Sequence, residues 1–155
     1  MLASRQQKEL GVDILAHAAG GATAVLEFAE ERLAQLSMVN ALTALHQVAG
    51  QDCSGGSIAS NPRLPRLVRH VSELVLGGKS GFAAGSARSV SSMAWSLARL
   101  QYGDAPLFDS IAAAARATMA EFSAQELSNT LWSFSPLALL HTPLMPSLSA
   151  SALKR

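Results

Sequence analysis

Ser89, Ser92, Ser96 and Arg99 follow one another at intervals of 3, 4 and 3 residues, which places them on one face of a helix. Short hydroxyls beside a guanidinium supply hydrogen-bond donors and acceptors, so the chemistry they suit is recognition. At an offset of 37 residues, Glu126, Asn129 and Ser133 repeat the first two intervals. A gapless overlay of the stretch 37–49 adds Asn40, Thr43 and Gln47. The apolar frame recurs while the polar row changes from copy to copy. Such a row is either an ordinary solvated face or a wall on which each copy meets one ligand unit. Helical-repeat readers of single strands use two or three side chains per repeat in this second way.

A second stripe, Arg63, Arg66 and His70, runs beside Leu64, Leu67, Val71 and Leu74. With Lys79, Arg88 and Arg99 it would hold the phosphates of a single strand, or else it is plain surface arginine. Net charge is only +1, but it is unevenly spread. Residues 1–60 carry −3, residues 61–100 carry +5, and the remainder carries −1. A basic middle between acidic flanks bears on partners and says nothing of fold.

Other chemistries find little support. Gly78-Lys79-Ser80 matches the tail of a phosphate-binding loop, but Glu73 stands where that loop requires a glycine. His17, His46, His70 and His141 are scattered, without the pairing a metal site needs. No serine sits in a nucleophile elbow, and no two carboxylates pair as acid and base. The expectation is a non-enzymatic protein with no cofactor, metal or small-molecule substrate. Trp95 and Trp132 could be stacking platforms for bases, but Ala94, Leu97, Leu131 and Phe134 at helical spacing favour packing between units. The lone Cys53 excludes an internal disulfide. No apolar run is long enough to span a bilayer. Arg5 and Lys8 before the first acid hint at organelle targeting, although Glu9 and Asp13 follow closely.

The elements that would position these rows come in pairs. With Trp95 set over Trp132, Ser86 meets Ser123, Val90 meets Leu127, Pro106 meets Pro143 and Ile111 meets Leu148. Self-similarity at this period marks a solenoid. Ser123 and Glu126 are spaced as a capping box, with Phe122 and Leu127 as the staple beside it. A second helix opens at Asp104-Ala105-Pro106 in one copy and at Thr142-Pro143 in the next. The connections are short, so the two helices of a unit run antiparallel. The expected fold is an all-α solenoid of antiparallel helix pairs, about eight helices in repeats of 37–38 residues. It divides into an N-terminal helix pair (1–36), a degenerate repeat (37–85), a repeat (86–122) and a repeat that could be truncated (123–155), all in one domain. Each copy depends on its neighbours, because a lone pair cannot bury its apolar face.

S-A-R-S-V-S-S-M-A-W-S-L-A-R-L and S-A-Q-E-L-S-N-T-L-W-S-F, each followed by a second helix, resemble octotricopeptide and heptatricopeptide repeats. They are also similar to the leucine-rich helical region of FAST-kinase-like proteins. V-N-A-L-T-A-L-H-Q-V-A resembles the degenerate helices that precede such arrays. The resemblance covers roughly residues 22–153 and is strongest over 86–148. It implies an RNA-binding solenoid of mitochondria or plastids, acting in processing, stability or translation of organellar transcripts. The opening of the second helix is reduced to D-A-P-L and T-P-L-M-P, and the terminal RAP-type module is absent. The family would place base contacts at Ser89, Ser92, Ser96, Asn129 and Ser133.

Two functions follow as expectations. One is single-stranded RNA binding, with bases read by that stripe and the backbone held by Arg63, Arg66, His70, Lys79, Arg88 and Arg99. Other proteins of an RNA-processing or ribosomal complex would then be further partners. The other is a protein-interaction scaffold using the same wall.

Overall fold

The computed structural model describes residues 2–51, 58–76 and 86–135. Their regular structure is helical: α1 (Leu2–Ala18), α2 (Ala22–Glu31), α3 (Met38–Gln51), α4 (Leu64–Leu76), α5 (Ala87–Arg99), α6 (Ala105–Ala117) and α7 (Ala124–Phe134). Short 3₁₀ turns at Leu33–Gln35 and Met119–Glu121 precede α3 and α7, and no strand occurs among the described residues. The expected helix after Thr142, Cys53 and Gly78-Lys79-Ser80 lie outside the described residues.

One joint recurs and sets the register of the odd-numbered helices. Ser37, Ser86 and Ser123 stand immediately before α3, α5 and α7. Each hydroxyl accepts from the backbone N–H three residues on, at Asn40 (3.4 Å), Ser89 (3.4 Å) and Glu126 (3.3 Å). This satisfies one of the donors a helix start leaves bare, which is worth about 1 kcal/mol. At Ser123 the capping box is complete, since the Glu126 carboxylate accepts from the Ser123 N–H at 2.8 Å. Before α3 and α7 the joint is longer and nearly identical. A 3₁₀ turn leads to one extended, buried apolar residue, Leu36 or Phe122, and then to the serine. Phe122 and Leu127 are both buried, as the expected staple requires. Asp104 caps α6 by accepting from the Leu107 N–H at 3.0 Å, with a proline in the first turn.

The helices pack by a simple rule of contact. α1, α3, α5 and α7 touch in series, each against the next odd-numbered helix. α2 lies against α1 and α3, α4 against α3, and α6 against α5, while α4 also touches α2 and α6. α4 shows how the sequence dictates this, because Leu64, Leu67, Val68, Val71 and Val75 recur at helical spacing and all are buried. Ala41, Ala44, Ala94 and Ala98 are also buried, and their small side chains let backbones approach closely. Leu45, Met93, Leu97, Phe108 and Ile111 fill the centre, and Phe108 meets Phe134 edge-on at 5.2 Å.

The recurring tryptophans are not the heart of that core. Trp95 is half-buried at its edge and Trp132 is 48% exposed. Leu97, Phe108 and Phe134 fill the interior instead, because the tryptophan position falls on the side of its helix turned away from the buried stripe.

Candidate functional site

Counting from the capping serines aligns three helices by structure. Six residues on stand Thr43, Ser92 and Asn129; nine on stand His46, Trp95 and Trp132; ten on stand Gln47, Ser96 and Ser133. Each position has its own environment.

The tenth position turns inward. Ser96 and Ser133 have no exposed surface, and their hydroxyls donate to the carbonyls of Ser92 (2.8 Å) and Asn129 (2.6 Å) on their own helices. The expectation that they face a ligand is therefore corrected: both are buried and their donors are spent. The third position has a joining role. Asn40 is buried and its amide donates to the Gln7 backbone carbonyl and to Gln7 Oε1, each at 2.8 Å, fastening α3 to α1. Ser89 is half-buried beside Ser86, with their hydroxyls 3.3 Å apart. Glu126 is occupied by the capping box.

The sixth and ninth positions are the open ones. Ser92 and Asn129 are half-buried, and among the described residues neither side chain has a protein partner. Thr43 donates to the carbonyl of Val39 at 2.8 Å. Beside them stand the rings: His46 lies tilted against Trp95 with centroids 4.6 Å apart, and Trp132 stands exposed on the next helix. The Arg99 guanidinium lies 5.7 Å from the centre of the Trp95 ring. Partial burial pushes the His46 pKa below its ordinary 6.5.

Between α3 and α5 a cleft of about 490 Å³ opens beside His46. Its α3 wall carries Val39, Leu42, Thr43 and His46, and its α5 wall carries Ser86, Arg88, Ser89 and Ser92. Ser89, Ser92 and Arg88, expected as contacts from sequence, are thus brought together. His46 was not singled out there. Its signal was the offset of nine from a capping serine, which becomes legible only once Ser37, Ser86 and Ser123 are known to be equivalent.

The basic residues divide between two places. Arg63 Nε lies 2.8 Å from Glu30 Oε2 and Arg66 Nη1 2.6 Å from Glu30 Oε1, so one carboxylate of α2 engages Arg63, just before α4, and Arg66 in its first turn. His70 Nε2 lies 3.3 Å from the carbonyl oxygen of Leu36. The expected stripe therefore fastens α4 to the preceding elements and presents no row of free cations. Arg88 instead lines the cleft between α3 and α5, its side chain 87% exposed and its Nε a loose 3.7 Å from Glu126 Oε1. Arg99 donates from Nε to the carbonyl of Ala49 at 3.4 Å. Lys79 lies outside the described residues.

Among the described residues no cluster of His, Cys, Asp and Glu could hold a metal ion, and no helix is long and apolar enough to cross a membrane. Compared with protein-family models, with curated protein sequences and with solved structures, the chain matches none.

Proposed function

We propose that this chain is a non-enzymatic, single-stranded RNA-binding α-solenoid of antiparallel helix pairs, with RNA lying across α3, α5 and α7. One observation carries the reading. Three helices registered by their capping serines present the same pair of positions outward: a small polar group (Thr43, Ser92, Asn129) followed three residues later by a ring (His46, Trp95, Trp132). A ring offers a face to any base, and base stacking contributes about 1–3 kcal/mol per base. A short amide or hydroxyl beside it can bond to a base edge. Arg88 and Arg99 lie on the same helix as Trp95 and would meet phosphates. The serial contacts of the odd-numbered helices, with even-numbered helices behind them, suit a solenoid in which each unit faces about one nucleotide. The resemblance to octotricopeptide repeats adds the setting, organellar transcripts.

The test is fluorescence anisotropy of labelled single-stranded RNA over a range of salt. Micromolar binding that weakens with a log–log slope of about −0.7 per phosphate contacted supports the reading. A second reading, a scaffold for another protein, is favoured by Val39, 66% exposed at the cleft mouth. It is preferred if no RNA binds at low salt.

A further inference from the structure

We infer that the cleft between α3 and α5 is a pocket for a single unpaired nucleotide, with its base against the His46–Trp95 stack and its phosphate at the start of α5. The inference rests on the RNA-binding reading and goes beyond it. That reading needs only a face along which a strand can lie, whereas this one requires a strand to insert one base between two helices.

Three observations converge. The first is size and lining: about 490 Å³, within the range of about 300–1,000 Å³ typical of small-ligand sites, with apolar walls and a few hydroxyls. The second is polarity along the cleft. At one end are Ser86, Arg88 and Ser89, in the first turn of α5, where helix N–H groups point outward and the dipole favours an anion. Arg88 is the most solvated arginine of the pairs described, and its contact with Glu126 among the described residues is a loose one. At the other end are the rings, with His46 in the cleft wall and Trp95 behind it. Six residues of helix separate Ser89 from Trp95, about 9 Å, which suits the reach from the phosphate of one nucleotide to the far edge of its base. The third is chemistry left unused. Ser92 sits between the two ends with no protein partner among the described residues, so its hydroxyl is available to a base edge.

The ring stack itself explains why a base would enter. His46 lies tilted against the indole, with an interplanar angle of 32°, and lines the cleft wall. A base laid on His46 extends the pair of rings it forms with Trp95, and the Arg99 guanidinium 5.7 Å from the Trp95 ring adds a cation beside them.

The experiment uses the two tryptophans. Trp132→Phe leaves Trp95 as the sole indole reporter, and all comparisons are made in that background. Labelled octamers of A, C, G and U are titrated while anisotropy follows binding and indole emission follows Trp95. We expect Trp95 emission to change by at least a third and to saturate with the anisotropy. His46→Ala should weaken binding about tenfold, and Arg88→Gln threefold to tenfold, with circular dichroism unchanged. His46→Phe, which keeps a ring, should recover most of the loss and show that the effect is stacking rather than folding. Binding with unaltered Trp95 emission, and with His46→Ala at full affinity, overturns the pocket while leaving RNA binding intact. No change in anisotropy with any octamer overturns both.

Discussion

Arg63 and Arg66 at the start of α4 and Arg88 and Arg99 on α5 belong to the same basic stretch of the chain, yet the fold treats them differently. At the start of α4 a single Glu30 carboxylate takes both guanidinium groups. On α5 one arginine is nearly all in water and the other lies over an indole. The lesson concerns what a charge count measures. The +5 over residues 61–100 is a sum along the chain, while a partner meets only charges left unmatched in space. Glu27 and Glu30 lie far back in sequence, in the acidic first part, and return to cancel the arginines that looked most like a phosphate track.

The largest effect should come from reversing charge on each side in turn. Arg88→Glu with Arg99→Glu should weaken single-stranded RNA binding tenfold or more at about 0.1 M salt, with helicity retained. Arg63→Glu with Arg66→Glu places three carboxylates together with Glu30. It should lower the melting temperature by several degrees, yet change RNA affinity less than threefold for the protein that remains folded. If the second pair weakens RNA binding as much as the first, the distinction between the two regions is lost.

Next in size is the clamp alone. Glu30→Ala should cost about 1 kcal/mol by thermal or urea unfolding, a discounted figure because Arg66 is mostly in water. The loss should shrink at high salt, since partly exposed pairs are screened. A smaller difference separates the open and closed positions of the polar row. Asn129→Ala should weaken RNA binding threefold to tenfold. Ser133→Ala and Ser96→Ala should leave it within twofold, because those hydroxyls already donate within their own helices.

The smallest predicted effect is on pH. His46 has a folded-state pKa held below 6.5 by burial. The unfolded chain therefore takes up that proton more readily, so the stability from neutral His46 is complete above pH 6.5. It is lost as pH falls from there through the folded-state value. Melting temperature should fall more steeply between pH 7 and pH 5.5 for the native chain than for His46→Phe. Equal slopes would remove His46 as the source.

Much of the helical scaffold was legible in the sequence because capping and apolar spacing are local. The Ser123–Glu126 box, the Asp104 cap and the buried stripe of α4 need only neighbours a turn away. The candidate site was legible in part. Spacing placed Ser89, Ser92 and Ser96 on one face, but burial also depends on position along the helix: Ser96, about two turns beyond Ser89, is covered and has no exposed surface. The tryptophans misled in the opposite sense. A large repeated aromatic suggests packing, yet Leu97, Phe108 and Phe134 take that role and leave Trp95 half in water and Trp132 exposed. The partners of Arg63, Arg66 and Asn40 could not be read at all. Each is fixed by a contact more than 30 residues away, which no local pattern encodes.

The central claim is that RNA lies on α3, α5 and α7 and not on α4. Photocrosslinking with octamers carrying 4-thiouridine, followed by peptide mass spectrometry, addresses it without any mutation. Crosslinks should map to the peptides holding His46, Ser92 and Trp95, and Asn129 and Trp132. Crosslinks confined to the Arg63–His70 peptide would contradict the claim.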